Sequence, residues 1–136
     1  MLKTGGYHMA SNILIVDDSA VTRAVLKKTV EMTGLPVNAV FQASNGAEAI
    51  RQIQHQPIHL ILADLNMPEL SGVEMAEKLF DDPKYRDIPL VIITTEASTT
   101  RIDQLKLKGI KGYIHKPFTP ETVRSMLQQF LEPCHA

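Results

Sequence analysis

Short, wholly apolar runs alternate along this chain with longer stretches in which apolar residues recur every three or four positions. Ile13-Leu14-Ile15-Val16 is apolar throughout and rich in β-branched residues, which predicts a strand buried on both faces. Asp17-Asp18-Ser19 stops it. Ser19 is a good N-cap for a helix carrying Val21, Ala24 and Val25, and Gly34 ends that helix. A weaker strand follows at Ala39–Ala43, closed by Ser44-Asn45-Gly46, and a helix from about Ala47 to Gln54 has Ile50 and Ile53 on its inner side. Leu60-Ile61-Leu62-Ala63 is a third buried strand, stopped at Asp64. A loop leads into a helix over Val73–Phe80. Pro89 precedes a fourth strand, Leu90–Ile93, which ends at Thr94-Thr95. A helix over Thr99–Lys108 stops at Gly109, and a short strand, Gly112–His115, ends at Lys116-Pro117. Thr119-Pro120-Glu121 opens the last helix, with Thr as N-cap, Pro at the first helical position and an acid in the first turn; it runs to about Leu131.

Five strand–helix units in strict alternation predict an α/β fold: a five-stranded parallel sheet with helices on both faces. Residues 1–11, with Gly5-Gly6, read as a loose tail of the kind an expression vector also leaves. Residues 12–132 read as one domain and 133–136 as a C-terminal tail.

Composition narrows the class. A chain of 136 residues fits one domain, and 44% hydrophobic with 21% charged residues excludes a disordered, collagen-like or coiled-coil protein. Lys and Arg number 14 against 15 Asp and Glu, so no global basic field holds nucleic acid or an anionic membrane. The single Cys134 makes no internal disulfide, which points to a reducing, cytoplasmic setting. No apolar run approaches the ~20 residues of a membrane span. The expectation is a soluble cytoplasmic protein without nucleic-acid or membrane partners.

The chemistry gathers at the strand ends. In open parallel α/β sheets, ligands bind beyond the carboxyl ends of the strands. The first strand ends at Asp17-Asp18, the third at Asp64 with Asn66 just past it, the fourth at Thr94-Thr95 and the fifth at Lys116. With strands one, three, four and five side by side, these residues share one rim. Three carboxylates held together repel, and a divalent cation removes the conflict. Carboxylate, carbonyl and water ligands suit Mg²⁺. A cation, a lysine and a hydroxyl around a carboxylate fit in-line phosphoryl transfer, and an aspartate can itself be the nucleophile.

Taken singly, several of these residues have plainer readings. Asp17-Asp18 alone is a strand-end turn, and Thr94 alone a routine strand-end threonine. Tyr113 alone is a half-buried strand aromatic. His115 reads as a solvated or packed strand residue, and His55 and His59, flanking Pro57, as surface loop. Arg23 with Lys27-Lys28 reads as a solvated basic stripe on the first helix.

The chain resembles the receiver domain of two-component response regulators over residues 12–131. The resemblance rests on Asp17-Asp18 after an apolar strand, Asp64 ending the third strand, Met67-Pro68 with Gly72 in the next loop, Thr94, and Lys116-Pro117-Phe118. It implies the flavodoxin-like sheet order 2-1-3-4-5. It implies that Asp64 accepts a phosphoryl group from a phosphohistidine of a sensor kinase or phosphotransfer protein. Mg²⁺ would be held by Asp17, Asp18, Asp64 and the backbone carbonyl of Asn66. Thr94 and Lys116 would contact the phosphoryl oxygens, and Thr94 and Tyr113 would form a switch. A target protein would bind the face made by the fourth helix, fifth strand and fifth helix. Asn66 and Glu96 stand where relatives tune phosphoryl lifetime, and Thr95 departs from the alanine many relatives carry. A cis Lys116–Pro117 bond is common in the family. No output domain follows the fifth helix, so the expected output is a protein contact, as in a stand-alone chemotaxis regulator. The second reading is an intermediate carrier in a phosphorelay. A Mg²⁺-dependent aspartyl-phosphate phosphohydrolase fits less well: Asn66 cannot act as a general acid, and no cap domain fits in the chain. A flavodoxin-like cofactor binder lacks a glycine-rich phosphate loop after the first strand, where acids stand instead.

Overall fold

The computed structural model describes residues 10–65, 67, 72–95 and 99–131. Five strands, β1 (Ser11–Val16), β2 (Val37–Ala43), β3 (Leu60–Asp64), β4 (Leu90–Thr94) and β5 (Gly112–His115), alternate with α1 (Ala20–Met32), α2 (Gly46–His55), α3 (Gly72–Phe80), α4 (Thr99–Lys108) and α5 (Pro120–Leu131). All strand pairs are parallel and the sheet order is β2-β1-β3-β4-β5. The expected α/β class and strand order are therefore those of the molecule.

Strand residues alternate between two hydrophobic layers, as a pleat of period two requires. Leu14, Val16, Ile61, Ala63, Leu90 and Ile92 pack with Ala49 and Ile53 of α2, Met75 and Leu79 of α3, and Leu105 of α4. Ile13, Ile15, Leu60, Leu62, Val91 and Ile93 pack on the opposite face with Leu26 and Val30 of α1 and Val123, Leu127 and Leu131 of α5. The continuous apolar runs in the sequence are strands covered on both sides. Truncating one such residue, for example Leu62→Ala, costs roughly 2–5 kcal/mol.

Helix starts are fixed by side chains. The Ser19 hydroxyl accepts from the Thr22 N–H at 3.2 Å. Asn45 Oδ1 accepts from the Glu48 N–H at 2.8 Å while Glu48 Oε1 accepts from the Ser44 N–H at 2.9 Å, a reciprocal cap. Thr119 and Thr122 do the same at α5, each hydroxyl accepting from the other residue's N–H. Past the end of α1, Gly34 takes φ +74°, a left-handed position that suits glycine.

Two strands start earlier than their apolar runs. The Ser11 N–H donates to the Pro36 carbonyl at 3.0 Å, so pairing begins at Ser11 and Val37 although neither Ser11, Asn12 nor Asn38 is apolar. A register shift between Ser11 and Asn12 absorbs one extra residue of β2. Pairing is a backbone property, and polar side chains hide its first residues from a hydrophobic pattern.

Candidate functional site: an acidic rim bridged by a lysine

The carboxyl ends of β1, β3, β4 and β5 bring Asp17, Asp18, Asp64, Thr94 and Lys116 to one rim. Asp17 follows β1, and its N–H still pairs with the Ala43 carbonyl at 3.1 Å. Asp17 is buried, Asp18 is exposed and Asp64, the last residue of β3, lies between. One carboxylate oxygen from each of the three lies within 4.8 Å of the others.

Lys116 supplies the counter-charge. Its backbone N–H donates to the Thr94 carbonyl at 2.7 Å, which anchors it at the end of β4. Its ammonium reaches across the rim, 3.0 Å from Asp17 Oδ2 and 3.5 Å from Asp64 Oδ2. Partial burial pulls the Lys116 pKa down, but the hydrogen bond to Asp17 and the charge of Asp64 outweigh it and hold the proton above the ordinary 10.5. Lys116 is thus charged at any physiological pH. The Lys116–Pro117 peptide bond is cis.

The turn after β1 is tied down from several sides. Asp17 Oδ1 accepts from the Ser19 N–H at 2.9 Å. The Asp17 carbonyl accepts from Arg23 Nη1 at 2.6 Å, and Arg23 Nε donates to Gln42 Oε1 at 3.0 Å. The Gln42 carbonyl in turn accepts from Gln52 Nε2 of α2. Gly72 stands against the phosphoacceptor candidate: its N–H donates to the Leu65 carbonyl at 3.1 Å, and a Cβ there would collide with the Asp64 carbonyl oxygen. Thr94 is fully buried at the end of β4. Tyr113 is half-buried on β5, with the Lys106 ammonium 5.9 Å from its ring centre. Asn66, Pro68 and Glu96, together with the tails 1–9 and 132–136, lie outside the described residues.

Two plain readings are corrected. Arg23 is not part of a solvated stripe, because its guanidinium is spent on Asp17 and Gln42; Lys28 is exposed as expected. His59 is exposed, yet its Nδ1 accepts from the buried Asn12 N–H at 2.9 Å, and His55 closes α2 instead of lying in a loop. Both errors have one origin. Gln42 is 19 residues from Arg23 and Asn12 is 47 from His59, and the nearer partner, Asp17, is met at its backbone carbonyl, which no side-chain pattern reveals.

The donor set is all oxygen, which suits a hard divalent cation better than zinc or copper. The close acids, the counter-charge and the parallel sheet define a receiver. The chain belongs to the response regulator receiver domain family, whose model matches residues 13–128. It is 33% identical over 120 residues to a chemotaxis protein CheY homologue of Campylobacter jejuni, across 88% of this chain and 91% of that one. The Vibrio cholerae chemotaxis response regulator CheY4 has the same fold, with a TM-score of 0.80 at 32% identity, covering 91% of this chain and 100% of that one. The receiver domain of a Pseudomonas aeruginosa sensor histidine kinase, solved with a magnesium ion coordinated in its active-site cleft, matches in fold with a TM-score of 0.77 at 24% identity, covering 90% and 98%. The chain is accordingly a CheY-like signalling protein and not a classical enzyme. A receiver implies a histidine kinase as partner. Among the described residues, no helix is long and apolar enough to cross a membrane.

Proposed function

We propose that this receiver, residues 12–132, accepts a phosphoryl group on Asp64 from a phosphohistidine and signals through changed protein contacts. The observation that carries the reading is the rim itself: three carboxylates within 4.8 Å of one another, with Lys116 spanning Asp17 and Asp64. An Asp64 oxygen attacks phosphorus as the phosphorus–nitrogen bond to histidine breaks, and the departing imidazole keeps that electron pair. Lys116 offers charge to the phosphoryl oxygens and Thr94 a hydroxyl. Asp17, Asp18 and Asp64, with the Asn66 carbonyl by family resemblance, would hold Mg²⁺, which supplies further neutralisation of those oxygens when bound. The magnesium ion in the P. aeruginosa receiver supports that choice of cation.

The role is of the chemotaxis type, with the output on the face of α4, β5 and α5; similarity to chemotaxis CheY proteins over most of the chain supports it. In this reading the chain acts in the cytoplasm, beside the histidine kinase that a receiver implies. The test uses a small phosphodonor. Acetyl phosphate with Mg²⁺ should add the mass of one phosphoryl group, and Asp64→Asn should abolish the addition. Labelling retained by that variant would overturn the assignment.

A further inference from the structure

Arg23 and Gln42 belong to no motif of the resemblance, yet they hold the backbone from which two of the three acids project. Asp17 has both carboxylate oxygens engaged, Oδ1 by the Ser19 N–H and Oδ2 by Lys116. Asp18 is the exposed acid of the set. Its direction depends on the peptide plane between Asp17 and Asp18, and the carbonyl of that plane is the one Arg23 Nη1 holds at 2.6 Å. If that plane rotates, the Asp18 carboxylate swings away from Asp17 and Asp64.

The brace has a far anchor. Arg23 Nε donates to Gln42 Oε1 on β2, and Gln52 of α2 bonds the Gln42 carbonyl. Two donors of one planar group thus meet two acceptors in different directions, which a lysine ammonium on a flexible stem does not reproduce. We propose that Arg23 is a positioning residue for the cation site, holding the Asp17–Asp18 peptide so that Asp18 stays in the three-acid cluster, with Gln42 as its anchor. The proposal rests on the reading of that cluster as a cation site.

Charge and geometry give opposite signs here, which makes the idea testable. Arg23 is a cation close to a cation site. Were charge all that mattered, removing it would tighten Mg²⁺ binding. A positioning role predicts weaker binding, and lost supporting contacts behind metal ligands typically cost 10–100-fold in affinity. The experiment is an Mg²⁺ titration of the ¹⁵N-labelled full chain, read from the amide shifts of folded protein. Arg23→Ala should raise the Mg²⁺ dissociation constant about ten-fold. Arg23→Lys should raise it comparably, because it keeps the charge and loses the fork. Gln42→Ala should raise it by a smaller factor with no charge changed, and it stands in if the Arg23 variants fold poorly. An unchanged or lowered constant in these variants, with wild type binding normally, would overturn the positioning role. If wild type shows no saturable shifts around Asp17, Asp18 and Asp64, the cation reading falls instead, and this proposal with it.

Discussion

At the scale of single residues, Lys116 is the group on which the site's electrostatics turn. It neutralises part of the repulsion between Asp17 and Asp64, and a cation entering the cluster meets its charge. Replacing it with alanine removes one positive charge at a few ångströms, worth about 1 kcal/mol in a well-screened setting. Mg²⁺ should therefore bind to Lys116→Ala at least as tightly as to wild type, by calorimetric titration, while the distant response to phosphorylation is impaired. A sharply weakened Mg²⁺ affinity would make Lys116 a scaffold of the rim instead of a phosphoryl contact. The sign of its pH effect also follows. The folded-state pKa is raised, so the stabilisation is complete below the unfolded value and fades only as pH rises through the folded one, above about 10.5. The gap in melting temperature between wild type and Lys116→Ala in metal-free buffer should hold steady from about pH 7 to 9 and narrow only above that lysine value. The acids and the lysine were legible in the sequence because each sits where an apolar strand stops. Arg23 and His59 were not, because Gln42 and Asn12 come from distant strands and the nearby Asp17 partner is a backbone carbonyl, which leaves no side-chain signature.

At the scale of elements, the start of α3 shows why one glycine belongs to the site. Gly72 packs so closely under Asp64 that a methyl group would strike the Asp64 carbonyl oxygen. The end of β3 and the start of α3 must therefore part to admit any side chain. Gly72→Ala should destabilise the fold by roughly 1–3 kcal/mol, the usual cost of overpacking. Urea unfolding measures that loss, and the same variant should slow acetyl-phosphate labelling at concentrations where it remains folded. Normal stability would mean the α3 start can shift freely. The sequence shows a glycine at this place, and only the packing shows why. Helix boundaries were read to within about a residue because Ser19, Asn45 and Thr119 cap where their chemistry suggests. The starts of β1 and β2 were late because backbone pairing at Ser11 and Val37 precedes the apolar run.

At the scale of the whole molecule, a local event on Asp64 has to reach a face that other proteins can read. The switch that the family resemblance implies would run a short way, through Thr94 and Tyr113. Tyr113 pairs with Ile92 in the β4–β5 ladder, two residues before Thr94, and its ring packs against the same hydrophobic layer as Ile92. In the proposed switch, a phosphoryl group on Asp64 draws the Thr94 hydroxyl toward it, and the Tyr113 ring turns in behind. That motion must release the Lys106 ammonium from the ring, a contact worth about 0.5–1 kcal/mol at an exposed site. Lys106→Ala should then favour the inward ring by a factor of about two to five. A partner that prefers the inward form gains coupling of typically ~1–3 kcal/mol, and linkage makes it favour phosphorylation in return. Solution NMR with beryllofluoride and Mg²⁺, beryllofluoride standing in for the phosphoryl group, checks the path. Shifts should extend from Asp64 to Tyr113 and to described residues of α4 such as Ile102 and Leu105. Thr94→Ala should suppress the distant shifts and leave those near Asp17 and Lys116. Shifts confined to the rim in wild type would leave a carrier of phosphoryl groups with no route to the α4–β5–α5 face, and the phosphorelay reading would replace the chemotaxis one.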